Sequence, residues 1–493
     1  MCKLSLNTPG QRALNLCASG LERGREMAKK NVQDQIDRRS FLRSSAALSA
    51  GLILPNAALA SISKEPDDIN VAIIGVGEQG STLLDNCAQM PGLRIRAVCD
   101  IWPYKRKWMS RRLITYKHKN NAYEDYREML DKEKDLDAAI IATPDFWHSQ
   151  QTVDCLKAGL HVYCEKEMSN TIEGAKKMVL AARETGKLLQ IGHQRRSNRR
   201  YRYCFENVIK GAKLLGRISA VNGQWNRSPA ILQSVPKKFT PSTEMLAKYG
   251  YKSVEQFRNW RWFKGLGGGP IVDLGSHQID VFNWFLQARP KSVTASGRMN
   301  FYDSKNRQWY DTVMAIYEYQ TARGGVTAFY QTVSASASGG YFENFMGNEG
   351  SLVISESNSK CAVYRDKDHA PEWEKWVKAG LLYKQCDCEI ECIEEAIEKC
   401  KRECGCPQIT EKETGSVLDP RETPPPPKYE IPIALRQKVH QGHLENFFNA
   451  IRGDAKLNCP AEIGYETAAT VLKVNEAIAA GRKLEFKDDE FKV

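Results

Sequence analysis

The strongest constraint on the fold of this chain lies in twelve consecutive residues. Ile69-Asn70-Val71-Ala72-Ile73-Ile74 reads as a short buried strand, and Gly75-Val76-Gly77-Glu78-Gln79-Gly80 follows at once, opening a helical stretch that runs to about Met90. Strand, G-x-G-x-x-G turn and helix in that order make an anion site. The glycines permit a tight turn and close backbone approach, and the unpaired N–H groups of the helix N-terminus favour a phosphate. The next strand, 93–99, ends at Asp100, twenty residues past Gly80, where a carboxylate would accept hydrogen bonds from an adenosine ribose. That carboxylate repels a 2′-phosphate, so the pattern predicts NAD as cofactor. NADP stays open if Lys105, Arg106 and Lys107 fold back to supply charge.

Further strands at 138–143, 161–164 and 188–192 alternate with helical stretches, which predicts a doubly wound parallel α/β sheet of the Rossmann type over 61–190. Beyond it the period changes. Longer alternating strands at 218–225, 292–300, 312–319, 325–333 and 350–355 predict a C-terminal α+β domain over 191–493 with a largely antiparallel open sheet, one face covered by helices. Residues 361–429 read as an irregular insertion, rich in Cys and Pro, ending near Pro424-Pro425-Pro426-Pro427. At 444–451 the helical period returns through Leu444, Phe447, Phe448 and Ile451.

Of the net charge of +12, residues 1–60 at the start of the chain supply +5, with nine Lys or Arg against four Asp or Glu. The balance of the rest is too mild to call for nucleic acid or an anionic membrane. Within that start, Arg38-Arg39-Ser40-Phe41-Leu42-Arg43, an apolar stretch over 46–54 and Ala58-Leu59-Ala60 have the order of a cleavable twin-arginine leader, with Met27 an alternative start. The apolar stretch is too short to span a bilayer. An exported, periplasmic protein is expected. Six of fifteen cysteines fall within 386–406 as C-x-C-x3-C-x7-C-x3-C-x-C, for which disulfides are the main expectation in an oxidising compartment. A metal cluster or a buried stripe on one helix face remains open there. Cys87, Cys99, Cys155 and Cys164 lie in core segments and should be reduced.

Four segments together resemble the Gfo/Idh/MocA family of oxidoreductases. They are Gly75 to Gly80 with Asp100, then Ala142-Thr143-Pro144-Asp145-Phe146-Trp147-His148, then Cys164-Glu165-Lys166-Glu167, and Gly267-Gly268-Gly269-Pro270-Ile271-Val272-Asp273-Leu274-Gly275-Ser276-His277. The likeness spans about 69–360 and 430–487. Family members usually carry Glu-Lys-Pro where this chain has Glu165-Lys166-Glu167, so the turn there is open to change. The resemblance implies that Gly75, Gly77, Glu78, Gln79, Gly80, Asp100, Thr143, Pro144, His148, Glu165, Lys166 and Arg195 lie at or near the dinucleotide. It implies Lys166, Asp273 and His277 as the catalytic set.

The residue types fit that chemistry. A lysine at a strand's carboxyl end is placed to stabilise a developing alkoxide. Asp273 and His277, four apart, share a helix face, and an imidazole titrating near neutral pH makes a competent base. The resemblance makes Asp273 either the partner of His277 or a substrate ligand, with Asp280 an alternative partner. His148 ranks below His277, with packing or a single hydrogen bond as its simplest role. Trp225, Trp260 and Trp262 read equally as a sugar-stacking wall or as core. The basic-aromatic run at 195–203 looks like a nucleic-acid strip, which export argues against, and Arg195 or Arg196 instead resembles family positions near the cofactor or the domain junction. His440 and His443 read as solvated helix residues.

These readings lead to an NAD(P)-dependent oxidoreductase acting on a hydroxyl of a sugar, glycoside or polyol, with a tightly held, internally recycled cofactor. Two alternatives stand beside it: an NAD-dependent glycoside hydrolase working by transient oxidation and elimination, and a non-catalytic sugar-binding protein. The expected partners are that substrate, the export machinery and further copies of the chain through the C-terminal sheet. No stable membrane insertion, nucleic acid or metal is expected.

Overall fold

The computed structural model describes residues 68–229, 232–357, 360–366, 370–384, 426–435 and 437–493. Residues 1–60, expected to form a leader, and the cysteine cluster at 386–406 lie outside the described residues.

Six parallel strands make the first sheet, in the order β3-β2-β1-β4-β5-β6. They are β1 Ile69–Ile74, β2 Leu93–Cys99, β3 Asn121–Tyr123, β4 Ala138–Ile141, β5 His161–Cys164 and β6 Leu189–Ile191. The central strands are apolar on both faces because helices cover both, as a parallel sheet requires. The order reverses between β1 and β4. A crevice opens at the carboxyl ends of strands at such a point, and ligands bind there. β3 escaped the sequence reading, since Asn-Ala-Tyr carries no apolar run.

The helix Gln441–Ile451 returns to this sheet from the far end of the chain. Its Leu444, Phe447 and Phe448 are buried with Ile73, Leu84 and Ile140, each such side chain contributing roughly 1.5–3 kcal/mol. The Rossmann core is therefore completed by residues 250 positions beyond 190, the boundary that the sequence pattern suggests.

The second sheet has ten strands in the order β14-β15-β13-β12-β11-β7-β10-β9-β8-β16. In chain order they are β7 Ile218–Asn226, β8 Pro290–Arg298, β9 Thr312–Thr321, β10 Gly324–Val333, β11 Tyr341–Gly347, β12 Gly350–Ile354, β13 Ala362–Arg365, β14 Tyr383–Lys384, β15 Lys428–Glu430 and β16 Leu484–Glu485. Among the described strands of this second sheet, only β7 and β10 pair in parallel. The helices Gly269–Leu286 and Ala461–Ala480 cover one face, where Tyr317 and Tyr319 of β9 donate hydrogen bonds to Thr470 O (3.3 Å) and Asn283 Oδ1 (2.8 Å). Met314 and Ile316, alternating with these, stay nearly half exposed on the other face.

The segment 361–429 is not wholly irregular, since its β13, β14 and β15 extend the second sheet, and β8 and β11 also differ from expectation. β8 ends two residues early, because the backbone N–H groups of Asn300, Phe301 and Tyr302 turn onto the Asp311 carboxylate. β11 was missed because Glu343 occupies an inward position of that strand, fully buried, which breaks the apolar alternation. Cys87, Cys99, Cys155 and Cys164 are buried and unbridged, as expected. Among the described residues no helix is long and apolar enough to cross a membrane.

Candidate active site

The loop after β1 is shaped by its glycines. Gly75 has φ +83°, and a Cβ at Gly80 would lie 1.8 Å from Gly75 O, so neither position admits a side chain without displacement. A Cβ at Gly77 would meet nothing within 4 Å, because that side of the loop faces the crevice. Gly77 caps the helix Glu78–Cys87 with no side-chain hydrogen bond, which leaves the first N–H groups of that helix for an anion. Asp100 accepts from Val76 N (2.9 Å) and Trp102 N (2.8 Å) through different oxygens and lines the same crevice, with lone pairs left for a ribose. Burial pushes its pKa up and these two N–H bonds oppose the shift. Arg106 turns onto Asp100 O (2.6 Å), and neither it nor Lys105 nor Lys107 lines the crevice. The site fits a dinucleotide with a free 2′-hydroxyl.

From this loop a cleft of about 800 Å³ runs to the second sheet. Glu78 and Gln79 line its first part, followed by Thr143, Pro144 and Glu165. Gln79 Nε2 donates to Glu165 Oε1 at 2.8 Å and so ties the glycine loop to the end of β5.

At the far end Lys166, Asp273 and His277 come together, as the resemblance implied. Lys166 Nζ lies 3.1 Å from Asp273 Oδ1 and also donates to Asp273 O. Arg261 Nε donates to the same Oδ1 at 3.0 Å. Burial alone would raise the Asp273 carboxyl, but Lys166, Arg261 and Arg227 outweigh it and hold it well below the usual carboxylate range.

Asp273 is thus not the partner of His277, and neither is Asp280. The latter accepts from Arg196 Nε (2.9 and 3.0 Å) and Thr467 Oγ1 (3.0 Å). The helical spacing puts these side chains on one face, but nearby cations compete for both carboxylates. The His277 Nδ1 has no hydrogen-bond partner, and the ring lies 5.5 Å from that of Trp225. Burial first, then Lys166, Arg195, His193 and His440, push its pKa well below the ordinary histidine value. The imidazole is neutral at pH 7 and open to accept a proton.

Asp145 belongs to this cluster and was overlooked, although it stands in the quoted segment between Pro144 and His148. It begins the helix Asp145–Lys157, is 4% exposed, and faces the cleft. Burial pushes it up to about 7, with Lys166 opposing and Asp273 adding to the shift. Glu167 lies behind, fully buried, pushed up to about 8 by burial and with one carboxyl oxygen unpartnered.

Three residues expected at the cofactor stand behind the cleft wall instead. Gly80 packs against Gly75. His148 is 1% exposed, with its two ring nitrogens each 2.7 Å from a backbone carbonyl, of Glu167 and of Thr143. It joins the loops after β4 and β5, and burial holds its pKa down at about 4. Arg195 is 1% exposed and pairs with Glu343 and with Glu356 (Nε–Oε2 3.1 Å), locking the Rossmann edge to β11, so the domain junction is its place. His443 is not solvated, and His440 is only partly exposed. His440 lines the cleft 3.2 Å from Gln79 Nε2, and buried His443 bridges Ser197 Oγ (2.6 Å) and Ile191 O (2.9 Å). Trp225, Trp260 and Trp262 all line the cleft, Trp225 stacked on Tyr341 at 4.7 Å.

Residues 233–263 cross the mouth of the dinucleotide end. Gln233 Nε2 donates to Glu78 Oε1 (3.0 Å), Trp102 Nε1 to Phe239 O (2.7 Å) and Trp147 Nε1 to Tyr249 O (3.3 Å). Arg258 lies 5.1 Å over the Trp102 ring and donates to Gln233 Oε1 (2.6 Å). One strap therefore touches the loops after β1, β2 and β4.

An anion-binding glycine loop joined by one cleft to a lysine-carboxylate-imidazole cluster places the chain in the class of two-domain dinucleotide-binding oxidoreductases. Residues 69–193 match the Gfo/Idh/MocA model described as an oxidoreductase family with NAD-binding Rossmann fold, and residues 242–353 match a C-terminal domain model of the same family. Residues 69–193 and 242–353 thus carry the two domains of the Gfo/Idh/MocA oxidoreductases. An α-N-acetylgalactosaminidase of Shewanella oneidensis is 27% identical over 175 residues, 31% of this chain. The oxidoreductase YrbE of Bacillus subtilis is 30% identical over 230 residues, 46% of this chain. The chain spans 38% and 57% of the length of these two relatives. A levoglucosan dehydrogenase solved with NADH and L-sorbose shares the fold at a TM-score of 0.61 with 17% identity, over 85% of this chain and 99% of that one.

Proposed function

We propose that this protein is an NAD-dependent oxidoreductase that takes hydride from a carbinol carbon of a sugar, glycoside or polyol, using a dinucleotide it keeps between turnovers. The observation that carries the reading is the meeting of Lys166, Asp273 and His277 at one end of the cleft that the glycine loop opens at the other. The nicotinamide would supply the hydride acceptor. The neutral His277 accepts the hydroxyl proton as the C–H bond breaks, and the Lys166 ammonium stabilises the oxygen as negative charge develops on it. Asp273 and Arg261 fix Lys166 for that task.

Retention is supported by the strap, which must open before a bound dinucleotide can leave. A kept cofactor needs its hydride removed again, either by a second sugar or by the product of the first. The likeness to an α-N-acetylgalactosaminidase favours a second reading of the latter kind. In it a glycoside is oxidised, loses its aglycone by elimination and is reduced again, for a net hydrolysis. Purified protein with no cofactor added tests both. Denaturation should release about one NAD per chain, and sugars should reduce the bound dinucleotide in the near-ultraviolet. Protein that is empty and binds no dinucleotide would reject the proposal.

We also propose export through the Arg38-Arg39 leader, which a mature N-terminus at Ser61 would support and an intact cytoplasmic chain would reject. Self-association through the open face of the second sheet, where Met314 and Ile316 are exposed, completes the reading.

A further inference from the structure

Within the proposed sugar-binding end of the cleft, almost every carboxylate has its partner. Asp273 holds Lys166 and Arg261. Glu356 receives Arg195 Nε at 3.1 Å and Gln194 Nε2 at 3.4 Å. Glu165 accepts from Gln79 Nε2 at 2.8 Å and from Lys166 N at 3.2 Å. The fourth, Asp145, lies buried within the field of Lys166 and Arg261 and carries a full charge only above neutral pH.

The donors are not used up in the same way. Arg227 follows β7 directly, its backbone fixed by Arg227 N donating to Val333 O at 2.9 Å. Its side chain lines the cleft and makes no ion pair or hydrogen bond among the described residues. Arg261 lies over Trp260, its guanidinium carbon 4.3 Å from the ring centroid, and gives only Nε to Asp273. Both its Nη groups have no acceptor among the described residues. Two guanidinium forks therefore face one cleft, one rigidly held, beside Trp225 and Trp260. A neutral sugar offers such forks only weak hydroxyl acceptors, whereas an anionic group accepts two parallel charge-assisted bonds from a single fork.

We propose that the substrate is an anionic sugar or glycoside whose charged group is received by Arg227 and Arg261 while a ring hydroxyl is presented to Lys166 and His277. The proposal rests on the sugar-oxidoreductase reading above and narrows its substrate class. The charged group selects the substrate and orients it, and takes no part in the hydride step. A carboxylate, as in a uronic acid, and a phosphate ester share the chemistry that Arg227 and Arg261 recognise.

The test uses the full chain with its retained dinucleotide and matched sugars that differ only in the charged group. These are glucose against glucuronate and glucose 6-phosphate, galactose against galacturonate, and their methyl glycosides. Reduction of the bound dinucleotide is followed against sugar concentration. At least one anionic sugar should half-saturate at a concentration about 10-fold or more below its neutral counterpart, the scale of one charge-assisted bidentate contact. Whether uronate or phosphate ester leads identifies the source of the charge. Arg227→Gln should raise the half-saturating concentration of that anionic sugar by about 10-fold and move its neutral counterpart far less, with Arg227→Lys recovering part of the loss. Added salt should weaken the anionic sugar alone. Neutral sugars that saturate at equal or lower concentration, or an Arg227→Gln effect equal on both members of a pair, overturn the inference while leaving the oxidoreductase reading intact. Failure of every sugar, charged or neutral, to reduce a dinucleotide shown to be bound overturns both.

Discussion

Lys166 and Asp273 stand 107 residues apart in the sequence and 3.1 Å apart in space, and this contact joins the parallel sheet to the long helix Gly269–Leu286 of the second domain. Because Asp273 holds Lys166 and not His277, the three residues divide into a held cation and an independent base. Lys166→Ala and His277→Ala should each lower turnover by about 10²-fold or more, with dinucleotide content unchanged. Asp273→Asn should act through Lys166. Its loss should be smaller than that of Lys166→Ala, and the double variant should be little worse than Lys166→Ala alone. Additive losses, measured as kcat/KM, would show instead that Asp273 binds substrate on its own account.

Asp145 predicts a pH dependence. It is faced by Lys166, Asp273, Arg261 and Glu167, and its pKa is pushed up to about 7 from an ordinary carboxylate value. Between about pH 4 and 7 the folded protein keeps a proton that the unfolded chain has released. Stability from this group is therefore full in acid and is lost as pH rises through 7. Asp145→Asn, which cannot ionise, should raise the melting temperature at pH 8 and leave it near wild type at pH 4.5. Glu167→Gln should behave alike with a window extending to about 8. Equal melting shifts at both pH values would reject the assignment.

What the sequence revealed about this site was what is local in it. Gly75, Gly77 and Gly80 meet a steric demand set within six residues, and the βα alternation of a two-sided parallel sheet shows in apolar runs such as Ala-Ala-Ile-Ile of β4. Lys166, Asp273 and His277 were found through motifs, each with its local frame. Their partners were not, because an ion pair is decided by whichever opposite charge folding brings nearest. Arg261 reached Asp273 before His277 could, and Arg196 took Asp280. The same holds for buried charge: nothing near Glu343 in the chain announces that Arg195, 148 residues earlier, will meet it inside the second domain. His443 was misread because a helix end that looks solvated alone is covered by Ile191 and Ser197.

The strap makes a prediction about cofactor release. Gln233 and Arg258 both link it to Glu78, Arg258 at 3.9 Å, and Arg258 also holds Gln233 in place at 2.6 Å. Gln233→Ala and Arg258→Ala should lower the NAD content of protein recovered after gel filtration and raise the dissociation rate about 10-fold, the scale of one or two lost hydrogen bonds. Turnover with saturating added NAD should be nearly normal. Unchanged retention in both variants would show that the glycine loop alone holds the dinucleotide.

Arg195 supplies a last prediction, because its place at the domain junction and a place at the cofactor lead to opposite results. Its guanidinium is 1% exposed and holds two carboxylates, Glu343 and Glu356, while Tyr201 OH donates to Glu343 Oε2 at 2.7 Å. Glu343 is fully buried, and burial pushes it up to about 7 even with Arg195 beside it. Arg195→Met would leave that charge with only Tyr201 and Gln278, a loss of about 3–5 kcal/mol by the usual cost of stranding one member of a buried pair. Adding Glu343→Gln removes the stranded charge and keeps an acceptor for Tyr201, so the double variant should regain most of the lost stability. Glu356 then keeps Gln194 at the cleft edge. Thermal unfolding of the two variants measures the recovery, and the NAD released on denaturation measures the cofactor. A domain clamp predicts a destabilised single variant, a rescued double variant and wild-type NAD content in the double. Loss of NAD from a fully rescued double variant would return Arg195 to the dinucleotide site.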